Sequence, residues 1–359
     1  MFINEETILV DAKSELQNKL TVWKLTALWA FSEAVLGGIL HAFKIPFSGL
    51  FVGGASAVLI SLIAFFSEEK TTIIKSTVVV ILVKALASPH TPLTAYFAVF
   101  LQGFLGSILF YNKNFFRLSA LTLTVLTLFL SSVQKIFILT ILFGTTLWDS
   151  IDLFINFIIN KFFAGKDVSI SFSYIIVGAY IFLHIIFGFF IGLIAGKLPY
   201  WIKDVVENDS IKIADFRNDQ KEFSLKKKSR KKRRWWQRPS GVLFFSFALA
   251  VVILSYIYPE FGSNKAYEVI IMTLRAMLIM FIWYTLLAPF FLKLFRAYVS
   301  KKQNIYSTEI NKIIGIFPQL RSLASYSWKI SSTEKNYRRI KSFIIYLTAF
   351  LLISDFETE

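Results

Sequence analysis

Residues 47–66, FSGLFVGGASAVLISLIAFF, form a run of twenty residues without a charged side chain. A helix of about 20 apolar residues is long enough to cross the roughly 30 Å hydrocarbon core of a bilayer. The whole chain shares this character, because 55% of its 359 residues are hydrophobic and only 17% are charged. Such runs exceed the roughly 10 residues of a barrel strand, and backbone polar groups in lipid must be satisfied within the segment. The sequence therefore predicts an all-α, polytopic membrane protein.

Nine apolar segments follow one another along the chain, six before a polar break and three after it. They cover residues 24–43, 47–66, 72–88, 93–111, 118–146, 170–196, 241–258, 267–291 and 340–354. The first six predict a six-helix N-terminal bundle, and the others predict two or three more transmembrane helices. The last segment is short enough to lie flat on the inner leaflet instead of crossing it. Basic and apolar residues interleave between 292 and 341, which predicts cytoplasmic amphipathic helices.

The polar break contains the run KKKSRKKRR at residues 226–234, directly followed by two tryptophans. Positively charged loops stay on the cytoplasmic side, so we expect a cytoplasmic linker and a protein of the bacterial inner membrane. Each basic residue near an anionic leaflet contributes about 1 kcal/mol, and tryptophan suits the membrane interface. We therefore predict that the linker binds membrane lipids and not nucleic acid, because no folded basic domain accompanies it. The predicted lipid-binding residues are Lys226, Lys227, Lys228, Arg230, Lys231, Lys232, Arg233, Arg234, Trp235 and Trp236.

Four regions result from this division of the chain. They are a cytoplasmic N-terminal segment (1–20), a six-helix membrane domain (21–197), the basic linker (198–240) and a C-terminal membrane domain with cytoplasmic helices (241–359). Threading the chain outward from the linker puts the turn at 41–47, the segment 88–92 and the loop 147–169 on the outer face.

Several classes of chemistry are not expected from this sequence. It contains no cysteine, which excludes disulfides and thiolate metal sites. Residues 192–197, GLIAGK, have the wrong spacing for a phosphate-binding loop and lack the Ser or Thr that would hold magnesium. The N-terminus lacks a basic region followed by an apolar core, so no cleaved signal peptide is expected. We expect no catalytic motif, no metal and no cofactor, so active transport would draw its energy from a partner or a gradient.

Small residues recur at helical spacing in two of the predicted spans. Ala30 and Ala34 lie four residues apart in the first, and Gly188, Gly192 and Gly196 continue that spacing in the sixth. Small residues at this spacing let helix backbones approach closely in a membrane. The glycine stripe therefore predicts packing inside the bundle.

Ionisable side chains inside the apolar segments predict a polar site. Charged groups at mid-bilayer cost at least about 2.5 kcal/mol each, so they usually face a bundle interior and carry function. Glu33 lies in the first span, Lys84 in the third, and Lys135 beside Gln134 in the fifth. Gln102 in the fourth span is a neutral companion. The two lysines suggest a solute that carries a carboxylate or a phosphate.

Residues 88–92, SPHTP, interrupt the helical pattern between the third and fourth spans. Thr91 precedes a proline and is biased away from helical angles. Non-helical backbone at membrane depth is tolerated only where protein or a water-filled cavity covers it, so we expect a pocket beneath this segment. The predicted ligand-binding residues are Lys84, Lys135, Gln102, Gln134, His90, Thr91, Tyr96, Glu33 and His41.

Structural roles remain open for several of these side chains. Lys84 lies about six residues from the outer end of its span and can snorkel to the interface. Glu33 can neutralise a lysine as a buried structural pair. A histidine at a helix end, such as His90, often serves as an interfacial hydrogen-bond donor, and His184 in the sixth span is expected to bond across helices.

The layout of six spans with both ends inside, an Ala30-x-x-x-Ala34 face on the first helix and three outer loops resembles the substrate-binding (S) component of energy-coupling factor transporters. The resemblance covers about residues 20–197. It implies that Ala30 and Ala34 dock a transmembrane (T) component, that an ATPase subunit is a further partner, and that a micronutrient binds beneath the outer loops. The C-terminal part departs from a plain S component: residues 315–332, GIFPQLRSLASYSWKISS, are weakly similar to the coupling segment of a T component but lack its Ala-Arg-Gly signature.

Three functions stay open at this point. The first is uptake of an anionic small molecule by an S-component-like protein. The second is a membrane-embedded enzyme that modifies a lipid or isoprenoid carrier, with His90 as base and Asp149 or Asp152 binding a metal, although clustered His and Asp motifs are missing. The third is a non-catalytic scaffold of an envelope complex, in which the basic linker would hold cytoplasmic partners.

Overall fold

The computed structural model describes residues 5–42, 47–87, 91–162, 171–208, 278–279, 282–283 and 287–354. Every regular element within these ranges is a helix, so the all-α prediction is confirmed for them. The lipid-binding residues predicted at 226–236 lie outside these ranges. So do the predicted span at 241–258, most of the one at 267–291, and His90.

Eleven α-helices succeed one another in the described part of the chain. They are α1 (Glu5–Phe31), α2 (Gly37–Ala42), α3 (Ser48–Phe66), α4 (Thr72–Ala87), α5 (Leu93–Leu109), α6 (Phe116–Phe143), α7 (Thr146–Phe162), α8 (Phe172–Asn208), α9 (Ala288–Gly315), α10 (Phe317–Ile330) and α11 (Asn336–Ile353). A π-helical turn, Ser32–Leu36, joins α1 to α2 without a break. Each of the first six predicted apolar segments coincides with one of these helices, the first with the continuous run from α1 to α2.

Helix α7 occupies most of the segment that the sequence predicts as an outer loop, so the loop prediction is wrong for residues 147–162. The polar side chains of this segment recur at helical spacing, which is the pattern of an amphipathic helix. They are Asp149, Asp152, Asn156 and Asn160. Gly144, with φ of 73°, forms the turn before α7, where a side chain would strain the backbone.

Three of the described helices, α3, α6 and α8, are long and apolar enough to cross a membrane. In the most apolar 18-residue stretch of α3, 61% of the residues are buried within the protein, whereas in the corresponding stretches of α6 and α8 only 17% are. Many large apolar side chains of α6 and α8 therefore face outward; Phe137, Phe182 and Phe190 are each at least 60% exposed. Helices α4 and α5 have 16 and 17 residues, which is shorter than a usual span. The described residues thus contain three helices long and apolar enough to cross a membrane, while membrane insertion and the number of spans stay predictions.

The chain divides into two compact units that interleave along the sequence. The first contains the described residues up to 128, from 185 to 208 and from 296 to 354. The second contains residues 129–162 and 171–184 with the described residues from 278 to 295. At the centre of the first unit, α3 packs against α1, α4 and α5, and α4 packs closely along α5.

The glycine stripe of α8 packs against the backbone of α6 inside the first unit. A Cβ atom added to Gly192 would lie 2.8 Å from Leu121 Cα, and one added to Gly188 would lie 3.0 Å from Val125 Cα. Successive glycines along α8 contact residues progressively earlier in α6, so the two helices run antiparallel. The prediction that this stripe serves helix packing is confirmed.

The C-terminal helices α10 and α11 pack against α1, also within the first unit. The buried Lys24 donates from Nζ to the carbonyl oxygen of Leu352 at 2.9 Å. A cation at this position satisfies a carbonyl in the last turn of α11 and complements the helix dipole. Further along α1, Phe31 meets Phe317 of α10 edge to face, with ring centroids 5.3 Å apart.

Candidate functional site

A buried ion pair lies at the centre of the first unit. Lys84 Nζ donates to Glu33 Oε2 at 2.6 Å, and Ser56 Oγ donates to Glu33 Oε1 at the same distance. The side chains of Lys84 and Glu33 are only 6% and 2% exposed. Three helical segments thus contribute: the π-helical turn carries the carboxylate, α4 the ammonium and α3 the hydroxyl. Burying both charges costs several kcal/mol per ion, so the site depends on this close pairing.

Glu33 lies at the start of the π-helical turn Ser32–Leu36. A π-helical turn widens the helix by one residue, and such turns occur frequently at functional sites. Glu33 is part of this turn, so the widened backbone sets the direction in which its side chain projects from the helix. Glycine follows at once, since Gly37 and Gly38 open α2.

The ion pair forms one level of a polar seam between α1 and α4. At the other level, Thr26 Oγ1 donates to Ser76 Oγ at 2.8 Å, and both side chains are buried. Glu33 follows Thr26 by seven residues, and Lys84 follows Ser76 by eight, so the two helices run parallel. At 1.5 Å per residue the two levels lie about 10 Å apart. Trp29 lies between them on the same face of α1, and its buried Nε1 has no hydrogen-bond partner among the described residues.

A second cluster of polar side chains, Gln102 and Thr127, lies beside Gly53, which is about one helical turn before Ser56 on α3. A Cβ atom added to Gly53 would lie 3.4 Å from Thr127 Cγ2 and 3.7 Å from Gln102 Nε2. Gln102 Oε1 and Thr127 Oγ1 are both buried without a hydrogen-bond partner in the described part of the chain. Each such group costs about 1–3 kcal/mol, which makes this location a candidate for contact with a ligand.

The other predicted ligand residues have different surroundings. Thr91 and Tyr96 hydrogen-bond to each other through their side chains, and Tyr96 is buried at the start of α5. Lys135 belongs to the second unit and is exposed, and Gln134 beside it is half-buried. The side chain of His41 and all of His90 lie outside the described residues. Among the predicted ligand residues, the structure brings two pairs into direct contact: Glu33 with Lys84, and Thr91 with Tyr96.

Ala30 and Ala34 are 0% and 9% exposed. Other parts of this chain therefore cover the face that was predicted to dock a partner. Ala30 follows Thr26 by four residues and precedes Glu33 by three, so it lies near the face of α1 that packs against α3 and α4. Docking of a separate subunit on these alanines stays a prediction, and it requires the covering segments to move.

The polar residues of the second unit have structural contacts. Asp152 accepts the backbone N–H of Ser173 at 2.6 Å through Oδ1 and the Ser173 hydroxyl at 2.8 Å through Oδ2, which caps the first turn of α8. Asp149 is exposed on α7. His184 Nδ1 donates to the carbonyl of Tyr180 at 2.9 Å, within its own helix. No three His, Asp or Glu side chains come together as a possible metal site in the residues that the structure describes.

Sequence reasoning missed Ser56, Thr26 and Ser76. Serines and threonines in apolar helices usually bond to the carbonyl of the preceding turn, as Ser56 also does with Val52 at 2.9 Å, so their position alone does not single them out. A useful signal would be a hydroxyl on the apolar helix α3 at the same height along the predicted bundle as the predicted charges. No protein-family model, characterised protein or solved structure matches this chain.

Proposed function

We propose that this chain is an integral protein of the bacterial cytoplasmic membrane and that its first unit is a small-molecule uptake component. In this proposal it binds an anionic solute in the manner of the S component of an energy-coupling factor transporter. The observation that carries the proposal is the buried Glu33–Lys84 pair, with the buried amide of Gln102 and hydroxyl of Thr127 in the same unit.

Membrane insertion is supported by the outward-facing apolar surface of α6 and α8. Large exposed apolar surfaces on a protein mark contact with lipid or with another protein. The rings of Tyr200 and Trp201 in α8 contact the cations Arg117 and Lys341, at 5.0 and 3.9 Å from the ring centroids. Aromatic rings beside cations are typical of the membrane–water interface, and these lie in the last turns of α8, ahead of the basic run 226–234.

The chemistry of the site favours an anion. A lysine ammonium carries three N–H donors, and Glu33 takes one of those of Lys84. A solute carboxylate or phosphate can accept from the remaining donors while Glu33 and Ser56 keep the ammonium in position. The unpaired groups of Gln102 and Thr127 would then bind a polar part of the solute, because an unsatisfied buried group gains most from a new partner.

Partners follow from the same proposal. A T component and an ATPase would supply energy, and the basic residues 226–234 would bind acidic lipid on the cytoplasmic side. The positive charge of that run would also fix the orientation of the chain in the membrane.

The test is native mass spectrometry of the detergent-purified full chain, with identification of small molecules released on denaturation. We compare the wild type with a Glu33→Gln, Lys84→Met double variant, in which no unpaired charge is left behind. The matched control is Glu69→Gln with Lys75→Met, an exposed pair with the same 2.6 Å separation. We expect an anion to copurify with the wild type and with the control, and not with the variant at the buried pair.

The same spectra show copurified subunits. Recovery of the same small molecule from the variant at the buried pair, or the lack of any anion in the wild type, would contradict anion binding at Lys84. A copurified ATPase subunit would support the transporter assignment over an uptake protein that works alone.

A further inference from the structure

A cavity of about 370 Å³ opens between α1, the turn after α3, α4 and α9. All of the side chains that line it belong to the first unit. Thr26 and Ser76, the second level of the polar seam, form part of its wall, so the cavity lies about 10 Å along α1 from Glu33. The volume is at the lower end of the range for small-molecule sites. This location is separate from the site proposed for the anion.

The inner wall of the cavity is apolar and aromatic. Trp23 contributes from α1, Val79 from α4, and Tyr306 and Ile313 from α9. Tyr306, Glu309 and Ile313 are spaced by three and four residues, so they share one face of α9. A ligand in this cavity would meet an apolar surface with a carboxylate at its edge.

The rim of the cavity is acidic, in a chain whose net charge is +16. Three carboxylates, from Glu68, Glu69 and Glu309, face two ammonium groups, from Lys19 and Lys75. Glu69 pairs with Lys75 at 2.6 Å, and this hydrogen bond lowers the pKa of Glu69, so the two charges compensate each other. With three carboxylates and two ammonium groups, the rim carries a net charge of −1.

Two of the carboxylates stay available to a ligand. Glu68 accepts from the neutral amide of Asn18 at 3.0 Å, so once Glu69 is paired with Lys75 the ammonium of Lys19 is the rim cation that Glu68 and Glu309 share. Glu309 is exposed and pairs with no cation among the residues that the structure describes. The strongly positive remainder of the protein attracts anions, so a locally acidic cavity selects for the opposite charge.

We infer that this cavity binds an amphipathic organic cation, with its ammonium group at Glu309 and Glu68 and its apolar body against Trp23 and Val79. The rings of Trp23 and Tyr306 add attraction to a cation through their faces, and a quaternary ammonium suits such aromatic surroundings. The apolar body would itself leave water on binding against the partly exposed rings of Trp23 and Tyr306, which supplies the hydrophobic part of the affinity.

Isothermal titration calorimetry on the detergent-purified full chain tests this inference. The probe is benzyltrimethylammonium, and benzyl alcohol and benzoate are its neutral and anionic counterparts. We expect saturable binding of one cation per chain and at least about tenfold weaker binding of the other two, because only the cation gains from the carboxylates and rings. Equal binding of all three probes, or no saturable binding of the cation, would overturn the inference.

A variant pair localises the binding. Glu309→Gln should weaken binding of the cation about tenfold, and Glu334→Gln, a change at an exposed glutamate in the turn before α11, should leave it unchanged. Both positions are exposed, so both variants are expected to fold, and circular dichroism checks this. Equal affinity of Glu309→Gln and the wild type would show that the probe binds elsewhere and would refute the assignment.

Discussion

Replacing Glu33 and Lys84 singly and then together measures how strongly the two buried charges depend on each other. At the observed 2.6 Å, two unit charges attract by about 6 kcal/mol for an effective dielectric constant of 20. Desolvation costs several kcal/mol per ion, so the pair as a whole contributes little net stability. Removing one partner leaves an uncompensated buried charge, which costs about 3–5 kcal/mol.

The expected pattern is therefore strongly non-additive. Glu33→Gln and Lys84→Met should each lower the free energy of unfolding by about 3–5 kcal/mol, while the double variant should lower it by less than about 2 kcal/mol. In the double variant, the amide introduced by Glu33→Gln keeps an acceptor for the Ser56 hydroxyl. The assay is equilibrium unfolding in mixed dodecyl maltoside and dodecyl sulfate micelles, followed by tryptophan fluorescence and far-ultraviolet circular dichroism.

The control is the exposed pair Glu69 and Lys75, which has the same separation, with side chains that are 56% and 58% exposed. Water and salt screen charges at such positions, so the corresponding cycle should show additive effects. Additive effects at Glu33 and Lys84 as well, within about 0.5 kcal/mol, would refute the reasoning that burial makes this pair interdependent.

Three further outcomes follow from the packing. Gly192→Ala should destabilise the protein by about 1–3 kcal/mol in the same unfolding assay, because its Cβ would meet the α6 backbone. Gly178→Ala on the same helix should be neutral or stabilising, because a Cβ added there has no neighbouring atom within 4 Å. Asp152→Ala should cost about 0.5–2 kcal/mol through loss of the cap on α8, and Asp149→Ala at an exposed position should not. Lys24→Met should speed proteolysis of the C-terminal helices in the folded protein, which limited trypsin digestion with mass spectrometry would detect; an unchanged cleavage rate would show that the bond to Leu352 does not hold them.

The sequence predicts the positions of the helices well, and it does so for a physical reason. An apolar run such as 47–66 has no charged side chain that could favour a loop, so its length alone fixes the bounds of α3 within a residue or two. The prediction of a loop at 147–169 is wrong for residues 147–162. The polar residues there indicate a loop by their number, whereas their spacing indicates an amphipathic helix. Its polar side chains lie on one face, and the helical period appears only when they are placed at 3.6 residues per turn.

The composition of the candidate site could be predicted in part, and its pairing could not. Glu33 and Lys84 stand out in the sequence because each interrupts an apolar run. Whether Lys84 faces Glu33 or a second lysine depends on the rotation of each helix about its axis, which sequence patterning leaves open when a helix is apolar all round. Lys135 illustrates the difficulty, because the same reasoning selects it, and it is exposed on the second unit.

The π-helical turn limits how far the faces of α1 can be extended along the chain. An extra residue in the helix at Ser32–Leu36 shifts every later side chain of the run to α2 by about one position relative to a regular α-helix. Extrapolating the face of Thr26 through Trp29 therefore reaches Glu33, but it does not continue correctly into α2. A π-helical turn is less stable than a regular one, so its persistence at this position requires compensation. The pairing of Glu33 with Lys84 and Ser56 supplies that compensation at the residue where the turn begins, and a neutral Glu33→Gln, Lys84→Met protein should accordingly favour a regular helix there.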